Sequence, residues 1–278
     1  MAEGELFFIV DSDDYIPKDA IEEVKKDWKK YRNNKSIAGL VYLKAWENGN
    51  LMGRKFEKDE FISNHVKEYN KGSKWGEKAE ILKTEIVKKY KFPKYDNEKY
   101  IGENVLWIEV SRKYDLVYIN KVIYIAEYLE DGLTMSGRRL RVENPLGSMK
   151  SAEVLMKNDI NLRIRFKNYW LYSTYGFFAK IKIKDLYKNV QSKLMVTITI
   201  PLGFLLYFLS VLYGMPLTSK ILITIVSIPF LLYIFDNSAT RVSAPPVVKD
   251  EITCATFIFF LLHNTFFSNI NIIKNLMV

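Results

Sequence analysis

Leu6-Phe7-Phe8-Ile9-Val10-Asp11-Ser12-Asp13-Asp14 sets five apolar residues against an abrupt acidic stop. A short apolar run bounded by polar residues reads as a strand buried on both faces, inside a parallel sheet with a neighbour on each edge. Its end delivers Asp11 and Asp13 together at the sheet edge, where two carboxylates one residue apart can share a hard divalent cation. Mg²⁺ or Mn²⁺ held by one or two carboxylates completes its shell with substrate phosphates, so the pattern predicts a site for a diphosphate-bearing donor. The plain alternative is a strand followed by an acidic turn and a helix cap.

Outward from this run the chain alternates strand and helix patterns. Pro17 suits a first helical turn, and Ile21, Val24, Trp28 and Tyr31 recur at helical spacing with Glu22, Lys25, Lys26, Lys29 and Lys30 on the other face. A second strand is read over Gly39 to Ala45, then a polar stretch without assigned elements, then helices from about Glu77 to Tyr90 and from Val105 to Tyr114. Leu116 to Ile119 and Val122 to Tyr128 read as two strands around Asn120-Lys121, ending at the Gly132-Leu133-Thr134 loop. The fold class expected is α/β. Arg138 and Arg139 follow that loop; guanidinium groups fit phosphate oxygens bidentately, so they and Thr134 are candidates for the donor diphosphate. Trp75 and Trp107 are candidates to stack on a sugar ring, with burial in the core as the competing reading.

Four features in order carry a resemblance: Gly4-Glu5 leading into the strand and Asp11-Ser12-Asp13-Asp14; Phe92-Pro93; Gly102-Glu103-Asn104 with Trp107; and Tyr128 before Gly132-Leu133-Thr134. The chain resembles a family-two glycosyltransferase of the GT-A fold, the inverting enzymes that build bacterial surface polysaccharides. The resemblance implies a partial GT-A, nucleotide-diphospho-sugar transferase-like catalytic domain over 1–150. Asp11 and Asp13 would form the D-x-D metal site for Mn²⁺ or Mg²⁺, with Asp13 the direct ligand and Asp11 nearer the donor's ribose or metal. Glu103 falls where the family places its general base, which takes the proton of an acceptor hydroxyl. Asn104 departs from the pattern, since the family usually has a second acid there. A carboxylate favoured by the dipole of a helix N-terminus is the structural alternative for Glu103.

The resemblance covers only the second half of the nucleotide-binding region, because Met1 stands just before the D-x-D strand. The expectation is an N-terminally truncated domain whose missing half is supplied by a separate polypeptide, or a catalytically inactive membrane-anchored subunit of a polysaccharide-assembly complex. A D-x-D phosphohydrolase is the lesser alternative; there the first Asp would be the nucleophile. That reading leaves the Gly102-Glu103-Asn104 and Gly132-Leu133-Thr134 features unexplained.

Leu194 to Tyr213 is twenty residues without a charge, matching the ~20 needed to cross a bilayer. With 217–235 it reads as a transmembrane hairpin over 194–235. Lys180, Lys182, Lys184, Lys188 and Lys193 precede the first span and only Lys220 lies in the connection. The positive-inside bias then places the catalytic part on the cytoplasmic side of the cytoplasmic membrane. In the juxtamembrane region, 151–193, Tyr169, Trp170, Tyr172, Tyr175, Phe177 and Phe178 interleave with Arg163, Arg165 and Lys167, which suits membrane lipids. The tail, 236–278, holds an apolar segment at 252–267 read as interfacial or a third membrane segment. One cysteine and two histidines exclude a disulfide framework and a Cys- or His-based zinc site. The thirteen glycines never fall in a P-loop or G-x-G-x-x-G arrangement. The net charge of +9 needs no nucleic acid to explain it. The expected partners are therefore a nucleotide-diphospho-sugar donor, a glycan or lipid-linked acceptor, and lipid.

Overall fold

The computed structural model describes residues 2–73, 76–127 and 139–213. Its strands are β1 (Leu6–Phe8), β2 (Ile37–Trp46), β3 (Glu60–Ser63), β4 (Lys78–Lys83) and β5 (Asp115–Ala126). The helices are α1 (Ala20–Tyr31), α2 (His65–Lys71), α3 (Thr84–Val87), α4 (Asn104–Ser111), α5 (Pro145–Glu153), α6 (Leu162–Phe178) and α7 (Lys193–Tyr213), with a 3₁₀ turn at Ile183–Tyr187. The five strands form one mixed sheet in the order β1-β4-β2-β5-β3. Only β2 and β5 run parallel; β1 with β4, β2 with β4 and β3 with β5 are antiparallel.

β2 is the buried centre that the apolar run Ile37 to Leu43 predicts, with all seven residues buried. Helices cover both faces. On one, Val24 and Trp28 of α1 pack over Leu40, Tyr42, Ile81, Val117 and Tyr124. On the other, Leu106, Trp107 and Val110 of α4 pack over Val41, Leu43, Leu82 and Tyr118. The remaining apolar side of α4, Val105 and Ile108, meets Val154, Leu155 and Ile160, so a helix apolar all round is buried all round.

The opening strand differs from its expectation. β1 is three residues long, half-buried, and paired antiparallel to β4 in the register Leu6↔Lys83, Phe8↔Ile81; no strand pairs its other edge among the described residues. The apolar run is real because both faces are used: Leu6 and Phe8 pack toward α1, while Ile9 packs toward α4. That alternation needs no parallel neighbours. The helix expected over Glu77 to Tyr90 is instead β4 followed by the single turn α3. Its Glu, Lys and Ala favour helix, but ladder pairing to β1 and β2 overrides so weak a preference.

The two strands expected on either side of Asn120-Lys121 are one strand with an irregularity there. The partner of Val41 is Tyr118, and that of Leu43 is Val122. The displaced residues are used. The Asn120 side chain accepts from the Phe56 amide at 2.8 Å and donates to the Phe56 carbonyl at 3.0 Å. Lys121 Nζ donates to Glu23 at 2.5 Å and to Asp27 at 2.7 Å. Asp27 is 1% exposed, and the Tyr42 hydroxyl also donates to it at 3.1 Å. Lys121→Met therefore leaves a buried carboxylate short of its closest cation. The expected loss is about 2 kcal/mol of folding stability, below the range for fully buried pairs because Lys121 is 36% exposed. Urea unfolding with an unchanged midpoint would refute the role.

α5, α6 and α7 belong to the same compact unit as the sheet. The aromatic residues expected at a lipid interface are mostly interior: Tyr169, Trp170, Tyr172 and Tyr175 are all buried. Their spacing puts them on α6 surfaces taken up by neighbouring helices rather than by headgroups. α6 and α7 lie side by side running the same way. The Tyr169 hydroxyl accepts from the Ser192 amide at 3.0 Å, the Ser173 and Thr199 hydroxyls bond at 3.0 Å, and the Phe177 and Phe204 rings lie 5.4 Å apart. Small residues make the approach possible, since a Cβ on Gly203 would lie 2.8 Å from Ser173 Cβ. Among the described residues α7 is the one helix long and apolar enough to cross a membrane. The expected second span, 217–235, and the tail, 236–278, lie outside the described residues.

Candidate functional site

The acidic run after β1 folds as a tight turn in which the Asp14 amide donates to the Asp11 carbonyl at 3.2 Å. Tyr15 then bridges to Ile125 of β5 in both directions, at 3.0 and 2.8 Å. The turn is also tied by side chains. The Tyr124 hydroxyl donates to Asp14 Oδ2 at 2.5 Å and accepts from the Asp11 amide at 3.1 Å, and the Glu127 amide donates to Asp14 Oδ1 at 3.0 Å. Burial, and then the hydrogen bond to Asp14, hold the Tyr124 phenol well above its ordinary pKa, so it stays protonated as a donor. Asp14 is thus the anchor of the turn. Asp11 and Asp13 are left with their carboxylates exposed, and Asp13 has no protein partner among the described residues.

Glu103 approaches from the opposite side of the sequence, at the N-cap of α4. It occupies the cap position without capping, since its side chain bonds no amide of the first turn. Burial pushes its pKa up, and the negative charge of Asp11 adds to that push. The Lys44 ammonium and a hydrogen bond from Trp107 oppose it. Glu103 therefore feels the charges of both Asp11 and Lys44, although its own surface remains open to solvent. Asn104 serves packing: its amide donates to the Ser151 carbonyl of α5 at 3.1 Å.

Lys44 and Glu80 were not among the expected site residues. Lys44 Nζ sits 4.0 Å above the Tyr124 ring. Glu80, on β4, is pushed up to about 8 chiefly by burial, with Lys44 opposing and Glu103 reinforcing the shift. His65 Nε2 lies 3.7 Å from Glu80, and burial holds that imidazole down to about 4. At neutral pH the two are therefore an uncharged contact rather than an ion pair. A sequence signal was present: Lys44 is the one charge inside β2, and Glu80 the one acid inside β4. Reading 77–90 as helix hid the second.

The other expected residues fall as follows. Trp107 is buried in the core under the sheet and offers its indole to Glu103, so it is not an open stacking face. Arg139 is exposed and pairs with Glu143 at 2.7 Å within its own helical turn. Trp75, Thr134 and Arg138 lie outside the described residues. No three carboxylate, imidazole or thiol groups converge to hold a metal ion among the described residues. What Asp11 and Asp13 offer is two exposed hard oxygen donors in one turn, a set that fits a cation completing its shell with phosphate and water.

Neither a protein-family model nor a curated protein matches this chain. The functional reading rests on the site itself.

Proposed function

We propose that this protein is an inverting glycosyltransferase of the GT-A type, moving a sugar from a nucleotide-diphosphate donor to a hydroxyl of a cell-surface glycan or lipid-linked acceptor. The observation that supports it most is that Glu103 stands at a helix N-cap without capping it and feels the charges of both Asp11 and Lys44. A carboxylate of raised pKa beside a separate acidic turn is the arrangement expected of a proton acceptor next to a donor site.

In this reading Glu103 takes the acceptor hydroxyl's proton while that oxygen bonds the anomeric carbon. The bond to the donor diphosphate breaks with its electron pair leaving on the phosphate oxygen, which inverts the carbon. Asp13, with Asp11, would hold Mg²⁺ or Mn²⁺, and such an ion supplies charge neutralisation to the departing diphosphate. Lys44 keeps Glu103 from being too readily protonated, and Tyr124 holds the acidic turn in register. The apolar α7 supports a location at the cytoplasmic membrane with the site on the cytoplasmic side, where lipid-linked acceptors are within reach.

The test is binding of uridine and guanosine diphosphates to the full chain in detergent, with and without Mn²⁺. Affinity is expected to depend on the metal and to fall about tenfold in Asp13→Ala, the order of effect of losing one contributor to a metal site. Metal-independent binding, or none to either diphosphate, would remove the donor-site reading. The edge of β1 that no strand pairs among the described residues favours one other reading, a membrane-anchored subunit completed by a separate polypeptide. Under that reading the isolated chain binds no diphosphate until its partner is added.

A further inference from the structure

The sequence places the start of membrane crossing at Leu194, but the packing of α7 places it elsewhere. One face of the N-terminal half of the helix is built into the folded unit: Val196 and Thr199 are fully buried, and Gly203 is buried against Ser173 and Thr174, while Leu194 and Phe204 on the other face are exposed. The 3₁₀ turn at Ile183–Tyr187 runs beside this same half. The Tyr187 and Thr197 hydroxyls bond at 3.1 Å, and Leu186 packs on Gly176 of α6. That turn brings charge with it. Lys182, Lys184 and Lys188 are exposed, and Asp185 pairs with Lys188 at 2.8 Å. Were α7 to enter the hydrocarbon at Leu194, all four would enter alongside it, and intramembrane charges facing lipid are strongly disfavoured.

Past the end of α6 the surroundings change. Phe177 and Phe178 meet Tyr207 of α7 at 6.0 and 4.9 Å between ring centroids, and Lys180 follows α6 directly at the same level. Beyond this aromatic collar Phe208, Val211 and Leu212 are exposed, and no charge occurs from Leu194 to Tyr213. Aromatic rings with lysines on one side and bare aliphatic surface on the other are the arrangement of a bilayer boundary, with the lysines facing anionic headgroups.

We infer that the surface of an anionic phospholipid bilayer meets this protein at the level of Phe177, Phe178, Lys180 and Tyr207, and that lipid contact on α7 begins near Phe208 rather than at Leu194. The stretch of α7 from Lys193 to Tyr207, about 22 Å at helical rise, is then part of the cytoplasmic unit and holds the catalytic part against the membrane. The inference rests on the membrane reading given above and fixes where that membrane lies.

The full chain carrying Cys254→Ser is reconstituted in phosphatidylglycerol and phosphatidylethanolamine vesicles, with single cysteines introduced as Leu194→Cys, Val211→Cys or Leu212→Cys. All three positions are 58% exposed or more, so the labels disturb no packing. Each is coupled to an environment-sensitive fluorophore and quenched by aqueous iodide or by chain-labelled lipid. The expected result is iodide quenching at Leu194→Cys and its loss at the other two, where lipid quenching takes over. Lipid quenching at all three positions would overturn the boundary while leaving the membrane reading intact. Iodide quenching at all three would overturn both.

Discussion

Glu103→Gln is expected to lower sugar transfer by about 10²–10⁴-fold while leaving diphosphate binding nearly unchanged, because it removes the proton acceptor without removing any group of the acidic turn. The change is also structurally mild: the side chain caps no helix amide, and a glutamine oxygen can still accept from the Trp107 indole. The pH profile supplies an independent check. Burial and Asp11 raise the pKa of Glu103, so its basic form is lost as pH falls through a value above the ordinary carboxylate range. The acid limb of activity should therefore lie higher than that of a free glutamate. In Lys44→Met the ammonium that holds this pKa down is gone, so the limb moves to still higher pH. An acid limb unmoved in Lys44→Met would separate Lys44 from the base.

Gly39→Ala is expected to be the most damaging small substitution in the sheet. A Cβ there would lie 2.0 Å from the Ile81 carbonyl oxygen and 2.8 Å from Leu82 Cα, both backbone atoms that no rotamer change can move. The two strands must separate where β2 bonds to both β4 and β5, and β1 reaches the sheet only through β4. Overpacking of this kind costs about 3 kcal/mol or more when the obstacle is backbone. Thermal unfolding of Gly39→Ala beside Gly4→Ala makes the comparison, since a Cβ on Gly4 would meet nothing closer than the Leu6 carbonyl oxygen at 3.6 Å. Equal losses in the two would mean that the β2–β4 approach is not the constraint.

Much of the sheet was legible because its centre obeys a simple rule: a strand buried on both faces reads as an unbroken apolar run, as Ile37 to Leu43 does. β1 misled by the same rule. Of its five apolar residues, Leu6 and Phe8 join one core and Ile9 the other, only three join a ladder, and the sequence does not record on which side a strand has neighbours. β4 was missed because Glu80 and its flanking lysines favour helix in isolation, and only pairing with β1 and β2 decides otherwise. Of the candidate site, Asp11 and Asp13 stood out as acids at the end of an apolar run, while Glu103 was reached only through the family resemblance. Their organisers were not, since Lys44, Tyr124 and Asp14 act through contacts across the sheet that no local spacing encodes. The aromatic residues of α6 were read as facing lipid, and most are instead buried because α7, later in the chain, packs on that helix.

The turn that carries Asp11 and Asp13 is fastened by Tyr124, Ile125 and Glu127, residues 110 or more positions away in sequence for each side-chain bond. Nothing local replaces those fasteners, and closing so long a loop costs entropy before any contact repays it. The acidic turn therefore acquires its shape only after β5 has docked beside β2. A nascent chain emerging from the ribosome carries Asp11 and Asp13 long before their turn takes shape, so forming the proposed donor site and completing the sheet become a single event in the protein's maturation.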